Sequence, residues 1–562
     1  MRVVFFAPLA APSALAALVA LCTIPPPNKA MSAEAQLTDG QFVLHLREQV
    51  PTVAGDHATK PIVRTESWSP EQTAVIVCDM WDSHHCYNAV QRVKDMAGRM
   101  NDVLQAARDA GVLIIHSPSS CLGPYADYPA RKRAQQAPAA ENLPDQITEW
   151  CHQIPSEEKG KYPLDQSDGG EDDDPEVHRK WHEQLAAAGK NPQSPWTRQY
   201  NALEIHDVDA ITDSGTEVWN LLEDCDIDNV IVLGVHTNMC VLGRPFGLRQ
   251  LAKNGRHVVL MRDLTDSMYN PAAWPYVSHH TGTDLIIEHI EKYVCPTVLS
   301  SDLIGGQPHR FFDDQRPTVA VIVSEFEYET YETLPAFAHQ YLGKDFRVVY
   351  LVNDDINNHD LEGIDILNDA DLAILSIWRR TLPAEQLQVV RDYVAANKPL
   401  VAIRTSCHAF ATRGGEAPEG RAVWQRFDRD VLACNYNLHH GNRVADGDPP
   451  THAWVLPSAA QHPLVAGLPA GEFLVDSKLY KTKPLAAPAT PLLMGRVADR
   501  LPHEPLAWTV ASDDGSRVFF TSMGSPSDFQ QKEFVQLLIN GVYWAIEMEI
   551  PAEFASVNVA RE

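Results

Sequence analysis

The sequence has no closely spaced cysteine pair and no excess of basic residues. Its ten cysteines include no CxxC motif, which argues against the common zinc modules and small disulfide-rich scaffolds. Lys and Arg number 46 against 74 Asp and Glu, a formal net charge of −28. Nucleic acids and anionic membranes bind basic surfaces, so we expect neither as a partner.

Long apolar runs are also missing, except at the N-terminus. Arg2 precedes the apolar stretch Val3–Leu21, and Ala33-Glu34-Ala35 has the small-x-small pattern of a cleavage site. This pattern predicts a signal peptide over residues 1–35 and an exported, periplasmic or extracellular protein without a stable membrane span. A start at Met31 would instead leave a cytoplasmic protein. Removing residues 1–35 leaves nine cysteines, so at least one thiol is expected to be unpaired.

The rest of the 562 residues alternates between short β-branched runs and helical patterns, in two series. Strand–helix–strand alternation predicts parallel sheets covered by helices. The predicted fold class is α/β, with two domains, each a mostly parallel sheet with helices on both faces. The predicted segments are a lead-in at 36–66, a first domain at 67–304, a turn-rich linker at 305–317, a second domain at 318–550 and a tail at 551–562.

Residues 119–195 interrupt this alternation. They are rich in proline, glycine and charge, including EDDDPE at 171–176. Such a composition predicts a solvated surface insertion.

Residues 229–240, NVIVLGVHTNMC, are a candidate nucleophile turn. A buried strand, a glycine and a following helical pattern would place Cys240 near a helix N-terminus. Free N–H groups and the helix dipole would there depress the thiol pKa and hold an oxyanion. The residues alone leave open whether Cys240 is a nucleophile or a buried structural cysteine.

Asp79 follows the predicted strand Thr73–Cys78, at the strand end where open α/β sheets place their ligands. His84 and His85 come shortly after it, and His116 ends the neighbouring strand. We interpret these histidines as polar rim residues and expect no cofactor, with a divalent metal as the alternative.

The two turns VIVCDMW and GVHTNMC give residues 73–300 a resemblance to the isochorismatase-like cysteine hydrolases, which include nicotinamidases. The resemblance implies a Cys240 nucleophile and an Asp79 base. It also implies a cis peptide at Val235-His236, with backbone N–H groups of His236 and Cys240 as the oxyanion hole.

The lysine of that family has no counterpart here. The segment WTRQYNAL at 196–203 places Thr197 or Arg198 at its position, depending on register. Arg198 could supply the positive charge beside a thiolate and a carboxylate, although an arginine stays protonated where a lysine can release its proton. We therefore predict Cys240, Asp79 and Arg198 as the catalytic residues.

The second series contains KPLVAIRTSCHAF, NLHHGN, HPLVAGLP, LAWT and GVYWAIE in that order. These segments give residues 317–550 a resemblance to the ThuA-like family, which is named for trehalose utilisation and has a class I glutamine-amidotransferase-like fold. Arg404 stands at the elbow where amidotransferases place their cysteine, and Cys407 lies three residues beyond. Amidotransferase chemistry is therefore not expected. Family analogy implies a carbohydrate or carboxylate ligand, and the candidate cleft residues are Arg404, Ser406, His408, His439 and His440.

Together these patterns predict an exported cysteine hydrolase of a small amide or related C–N substrate, with an accessory ligand-binding domain. One alternative is a non-catalytic carbohydrate- or metabolite-binding protein in which both sites have lost their chemistry. Another is a vinyl-ether hydrolase of isochorismatase type. The expected partners are a small-molecule substrate and a carbohydrate ligand, and a homo-oligomer is left open.

Overall fold

Two large β-sheets organise the chain in the computed structural model, which describes residues 34–52, 55–353, 355–511 and 515–551. Strands up to Val298 form the first sheet, and the second sheet begins at Thr318. The predicted α/β fold with two domains is confirmed. Of the predicted signal peptide and tail, residues 1–33 and 552–562 lie outside the described residues.

The first domain contains nine strands and seven helices among the described residues. The strands are β1 (Leu37–Thr38), β2 (Gln41–Thr52), β3 (Gly55–Trp68), β4 (Thr73–Cys78), β5 (Leu113–Ser117), β6 (Ala210–Ile211), β7 (Asn229–Val235), β8 (His257–Asp266) and β9 (Thr297–Val298). The helices are α1 (Tyr87–Asp109), α2 (Pro129–Gln136), α3 (Pro175–Ala187), α4 (Gly215–Asp224), α5 (Leu248–Lys253), α6 (His279–Tyr293) and α7 (Ser301–Ile304).

The strand order in the first sheet is β1-β2-β9-β8-β7-β4-β5-β6, and β3 pairs with β2. Strands β4 to β9 pair in parallel, whereas β1, β2 and β3 add antiparallel pairs at one edge. The chain leaves β4 toward β5 and later returns to β7 on the other side of β4. Ligands of open α/β sheets bind at such a switch point, beyond the carboxyl ends of the strands.

Strand β4 shows why this sheet is covered on both faces. Ala74, Ile76 and Cys78 pack into one hydrophobic cluster, while Val75 and Val77 pack into another on the opposite face. Side chains alternate between faces along a strand, so a continuous apolar run is required when helices cover both sides.

The lead-in forms more regular structure than the sequence predicts. Strands β2 and β3 form a long antiparallel hairpin that joins the sheet through Arg47 and Thr297. Phe42, Leu44 and Leu46 are buried on one side of it. Val43 and His45 between them are more exposed, which gives the alternation of a half-buried strand.

The second domain contains eleven strands and five helices among the described residues. The strands are β10 (Thr318–Ser324), β11 (Arg347–Val352), β12 (Leu372–Ile377), β13 (Leu382–Pro383), β14 (Leu400–Ile403), β15 (Arg421–Ala422), β16 (Thr451–Val455), β17 (Phe473–Val475), β18 (Ala489–Val497), β19 (Glu504–Ala511) and β20 (Arg517–Thr521). The helices are α8 (Thr330–Tyr341), α9 (Ile366–Asp369), α10 (Ala384–Ala395), α11 (Phe427–Asp430) and α12 (Lys532–Ala545).

The main sheet of this domain has the order β11-β10-β12-β14-β20-β19-β18-β16-β17. The pairs from β11 through β20 are parallel, and those from β20 through β17 are antiparallel. The sheet is therefore mixed rather than mostly parallel. Strands β18, β19 and β20 follow each other through short connections, which suit antiparallel neighbours, whereas parallel neighbours need long crossovers.

The insertion at 119–195 is not simply solvated, contrary to the prediction from its composition. It contains α2 and α3 and buries Tyr125, Ile147, Cys151, Ile154, Leu164 and Leu185. Its acidic run also has partners in the domain. Asp173 accepts the backbone N–H groups of Tyr87 and Asn88, both at 2.8 Å, at the N-terminus of α1, and Asp172 pairs with the buried Arg92 at 2.9 Å. The acidic run is therefore less solvated than its composition suggests, because the N-terminus of α1 and Arg92 bind its carboxylates.

Glu157 ties the insertion to the first domain. Its carboxylate accepts hydrogen bonds from Ile154 N–H at 2.9 Å, from Arg249 Nε and Nη2 at 2.8 and 2.7 Å, and from His289 Nε2 at 2.9 Å. Burial alone would raise the pKa of Glu157, but the bonds from His289 and Arg249 outweigh it and lower the pKa to about 2.

Replacing Glu157 by Gln is expected to destabilise the first domain by about 3–5 kcal/mol at neutral pH, because Arg249 loses its buried counter-charge. The pKa in the folded state lies below the ordinary value of 4.5. The stabilisation is therefore present above about pH 4.5 and disappears as the pH falls toward 2. Guanidinium chloride unfolding at several pH values measures it.

Glu176→Gln is the matched control, because Glu176 pairs with Arg179 on the surface of α3. It should leave the unfolding midpoint unchanged. Equal midpoints for the two variants at pH 7 would show that Glu157 does not hold the insertion.

Candidate active site

Asp79 lies immediately after β4 and is fully buried. Its backbone is left-handed, with φ of +46°, and its Oδ1 accepts the backbone N–H of Ser119 at 2.7 Å. Burial raises the pKa of this carboxyl, and the neighbouring Arg244 and the hydrogen bond from Ser119 only partly offset that effect. A carboxylate with a raised pKa is a better proton acceptor near neutral pH.

Cys240 lies in the turn that follows the neighbouring strand β7. Cys78 and Gly234 are paired in register at the ends of β4 and β7, so the two turns begin side by side. Gly234 has φ of +109°, and a Cβ atom there would collide with the carbonyl oxygen of Cys78. Glycine therefore lets the two strand ends approach closely. The peptide bond at Val235-His236 is cis, at the position that the resemblance implies.

Hydrogen bonds from β8 and its following loop hold the Cys240 turn in place. Thr237 and Thr265 share a hydroxyl–hydroxyl bond of 2.7 Å. The Asn238 side chain donates to Met268 O at 2.7 Å and accepts from Met268 N–H at 2.9 Å. Thr237–Val241 form one turn of π-helix, a feature that is frequent at functional sites.

The cation at this site is Arg244, one helical turn after Cys240. Its Nε lies 3.1 Å from Asp79 Oδ2, and its backbone N–H donates to Cys240 O at 3.0 Å. The Cys240 thiol lies near the same carboxylate, whose negative charge raises the thiol pKa. Thiol, carboxylate and guanidinium are therefore in mutual reach.

Arg198, the cation predicted from sequence, is exposed. Its backbone N–H donates to Asp82 Oδ1 at 3.3 Å, and its carbonyl accepts from Asp82 N–H at 2.9 Å. Thr197, the alternative register, also binds Asp82. The segment 196–203 therefore contacts the carboxylate at position 82, whereas Arg244 contacts the one at position 79.

The expectation of a depressed thiol pKa is wrong. Burial of the sulfur and the negative charge of Asp79 raise the pKa of Cys240 above its ordinary value of 9.0. Arg244 and a backbone N–H bond from His236 lower it, but by less. The thiol is therefore neutral near pH 7 and needs a base to release its proton. The His236 N–H is one of the two predicted oxyanion donors.

Two neutral histidines lie beside this turn. His84 is buried, its ring centroid is 4.9 Å from that of His236, and its Nδ1 accepts the Cys86 N–H at 3.2 Å. Burial, followed by the nearby positive groups, lowers the pKa of His84, and burial lowers that of His236 to about 3. His84 is therefore neutral at pH 7, with its proton on Nε2. The buried His236 Nε2 has no hydrogen-bond partner among the described residues.

The other two histidines have protein partners. His85 Nε2 lies 3.3 Å from Glu171 in the insertion. His116 is fully buried and bonds to Gln199 at 3.1 Å and to Asp209 at 3.2 Å. Within the described ranges, a different set, Cys86, Asp172 and Asp173, has a geometry that could hold a metal. Both of those carboxylates already cap α1 or bind Arg92.

The insertion supplies aromatic side chains around the turn. The Trp196 ring, just after the insertion, stacks on Trp81 at 4.8 Å and on His84 at 5.8 Å. Tyr162 donates its hydroxyl to Asn238 O at 3.0 Å. The Trp150 ring lies 5.2 Å from the Arg244 guanidinium, and a side chain at Gly243 would collide with its indole. The insertion therefore packs directly on the residues that surround Cys240.

In the second domain, three of the five predicted cleft residues lie together. Arg404 neighbours both His408 and His439. Ser406 instead bridges β12, since its Oγ donates to Leu375 O at 2.8 Å and accepts Ile377 N–H at 3.1 Å. His440 faces Glu504, with its Nε2 4.0 Å from the carboxylate.

Both halves of the chain are α/β domains whose polar residues collect beyond the carboxyl ends of parallel strands. Residues 73–276 match the Isochorismatase domain family, and residues 319–545 match the ThuA family, described as trehalose utilisation. These matches confirm both predicted resemblances and their order along the chain. No curated protein matches.

Similar solved structures cover one half each. A cysteine hydrolase from Pseudomonas syringae is 21% identical, with 43% of this chain and 95% of that chain covered and a TM-score of 0.27. A ThuA-like protein from Bacteroides uniformis is 14% identical, with the same coverages, 43% and 95%, and a TM-score of 0.32. An isochorismatase family protein from Burkholderia thailandensis is 14% identical over 41% of this chain and 93% of its own, with a TM-score of 0.24.

Two further expectations bear on the compartment. In the described parts of the chain no helix has the length and apolar character needed to cross a bilayer. The nine described cysteines, at positions 78, 86, 121, 151, 225, 240, 295, 407 and 434, are all free thiols.

Proposed function

We propose that the first domain is a cysteine hydrolase of a small amide or related C–N substrate, with Cys240, Asp79 and Arg244 as its catalytic groups. The chain would be an exported protein whose second domain binds a ligand. The observation that carries the proposal is the shared carboxylate. Asp79 accepts the Arg244 Nε at 3.1 Å and lies close enough to the Cys240 sulfur to raise the thiol pKa, in a buried site.

Asp79 would take the thiol proton as the sulfur attacks the substrate carbonyl carbon. Before the transfer the negative charge is on Asp79, and afterwards it is on the sulfur. Arg244 remains protonated throughout, because its pKa is raised by Asp79 and Cys240 beyond the effect of burial. One fixed cation can therefore balance the charge in both states, which favours transfer inside a buried site.

The remaining steps use the same groups. The tetrahedral oxyanion would be held by the backbone N–H of His236, near the sulfur. When the C–N bond breaks, Asp79 would return its proton to the leaving nitrogen, which leaves a thioester on Cys240. Water would then hydrolyse the thioester to release a carboxylic acid and restore the thiol.

Intact-protein mass spectrometry tests this proposal with a panel of small primary amides and the matching p-nitrophenyl esters. The esters acylate faster and allow the thioester to accumulate. We expect an acyl adduct on wild-type protein, located to Cys240 by peptide mapping and absent from Cys240→Ala.

The rival function is a binding protein without chemistry. It predicts that iodoacetamide alkylates Cys240 while no ester in the panel acylates it. That result would overturn the hydrolase proposal, because it would show a reachable thiol without acyl transfer.

A further inference from the structure

We infer that the second domain binds an oxyanion, a carboxylate or a phosphate ester, on the open edge of Arg404. This inference deepens the ligand-binding half of the proposed function and is independent of the chemistry at Cys240. It rests on the position of Arg404, on its unused hydrogen bonds and on the rings around it.

Arg404 directly follows β14, in the parallel part of the second sheet, with φ of +48°. Its side chain is buried, with 1% exposure. The loops after β10, β12 and β20 meet at the same end of the sheet and carry Tyr328, Arg379 and Ser522. Open α/β sheets bind ligands at this end, and non-glycine residues with positive φ are concentrated at functional sites.

One edge of the Arg404 guanidinium makes no hydrogen bond to the described residues. Nη1 donates to Ser522 O at 2.9 Å, which fixes the plane of the guanidinium. Nε and Nη2 are buried and have no partner within the described ranges. These two nitrogens form the edge of a guanidinium that donates two parallel hydrogen bonds to the oxygens of one carboxylate or phosphate.

The protein does not supply that anion. Asp528 is the carboxylate that contributes to raising the pKa of Arg404. Its Oδ2 accepts the N–H groups of Gly524 and Ser525 at 2.9 and 3.0 Å and the Ser477 hydroxyl. The Asp528 carboxylate is therefore occupied by these hydrogen bonds.

Aromatic rings compensate Arg404 only in part. Its Cζ lies 3.6 Å from the Tyr328 ring centroid and 5.4 Å from that of Tyr480. Such contacts stabilise a desolvated cation by less than burying an unpaired charge costs. An oxyanion on the open edge would offset the difference.

Arg379 and Arg413 add positive charge near His408 and Arg404, although the whole chain carries −28. Burial and the positive charges of Arg379, Arg413 and Arg404 lower the pKa of His408 to about 3. Two carboxylates lie in the same loop as Tyr328, but both have protein partners. Glu327 is paired with Lys478 at 3.0 Å, and Glu325 is occupied by the N–H groups of Glu327, Tyr328 and Thr330.

Four aromatic side chains lie next to Arg404 and indicate what kind of molecule carries the oxyanion. His408 stacks on Tyr436 at 4.5 Å, Tyr436 lies 5.1 Å from Tyr480, and His439 lies 6.3 Å from Tyr480. Stacked rings of this kind pack against a sugar or another ring. The ligand class is therefore a ring-bearing acid, such as a sugar acid or a sugar phosphate.

Isothermal titration calorimetry on the full chain tests the site with four probes: glucuronate, glucose 6-phosphate, inorganic phosphate and glucose. We expect saturable binding of at least one of the anionic probes and none of glucose at matched ionic strength. Glucuronate and glucose 6-phosphate distinguish a carboxylate from a phosphate source. Arg404→Gln should weaken binding at least tenfold, and Arg404→Lys should also weaken it, because lysine keeps the charge but lacks the two-nitrogen edge.

Arg496→Gln is the matched control, since it removes one positive charge of the same domain at its ion pair with Glu472. Its affinity should equal that of wild type. If the Arg404 variants do not fold, Tyr436→Ala should weaken the binding of the ring-bearing anions but not that of inorganic phosphate. Failure of all anionic probes at millimolar concentration, or equal affinity in Arg404→Gln, would overturn the site. Acylation of Cys240 is scored separately, so either half of the proposed function can fail alone.

Discussion

Replacing Asp79 by Asn is expected to slow acylation of Cys240 by roughly 10²- to 10⁴-fold, the usual contribution of a positioned general base. Asparagine keeps the shape of the side chain and can still accept the Ser119 N–H, but it cannot take a proton from the thiol. The loss should be large because the pKa of the Cys240 thiol is raised by burial, so little thiolate forms without a base. The rate of thioester formation with a p-nitrophenyl ester measures it.

Asp82→Asn is the control for this prediction. Asp82 lies three residues along the same loop and binds Thr197 and Lys190. In the Asp82→Asn variant, Cys240 should be acylated at close to the wild-type rate. An Asp79→Asn protein that acylates as fast as Asp82→Asn would show that the thiol loses its proton to another group or directly to water.

Replacing Arg244 by Gln is the second large effect that we expect. An opposite charge within about 4–6 Å typically shifts a pKa by roughly 1–3 units, so loss of the guanidinium should reduce the thiolate population by about 10- to 1000-fold. Alkylation of Cys240 by iodoacetamide, followed by mass spectrometry across a pH series, reports the change directly. The labelling curve of the variant should move to higher pH.

Arg198→Gln separates the two arginines in the same experiment. Arg198 is exposed, so its variant should label like wild type. If Arg198→Gln shifts the curve and Arg244→Gln does not, the cation expected from the resemblance is the functional one, and the contact between Arg244 and Asp79 serves stability only.

Much of the parallel core could be predicted from the sequence, because buried parallel strands have continuous apolar runs. Thr73–Cys78 has the predicted bounds in the structure, and Leu372–Ile377 and Leu400–Ile403 are further continuous apolar runs that form buried strands. The hairpin of β2 and β3 was harder to predict. Buried and exposed residues alternate along these strands. Part of their stability comes from pairing with each other, which sequence patterns do not show directly.

The pair Asp79 and Cys240 could also be predicted, since each follows a buried strand and the two strands are neighbours. Arg244 could not be inferred from the resemblance, because the family's lysine corresponds to the segment 196–203 and Arg244 lies outside it. A local signal was available. Cys240 and Arg244 are four residues apart, and residues at that spacing share a face of a helical turn. The role of the insertion could not be inferred, because its partners Arg92, Arg249 and His289 are distant in sequence.

The contact between Trp150 and Arg244 has a consequence for how the first domain could be controlled. The indole shields one side of the guanidinium, and Gly243 leaves room for it. If the segment that carries Trp150 swung outward, the guanidinium, whose side chain is already 24% exposed, would lose more of its shielding from water and bind the neighbouring charges more weakly. Access to Cys240 and the reactivity of its thiol would then change together. An outward movement would expose the site and make the thiol less reactive, and the return of the segment would reverse both changes.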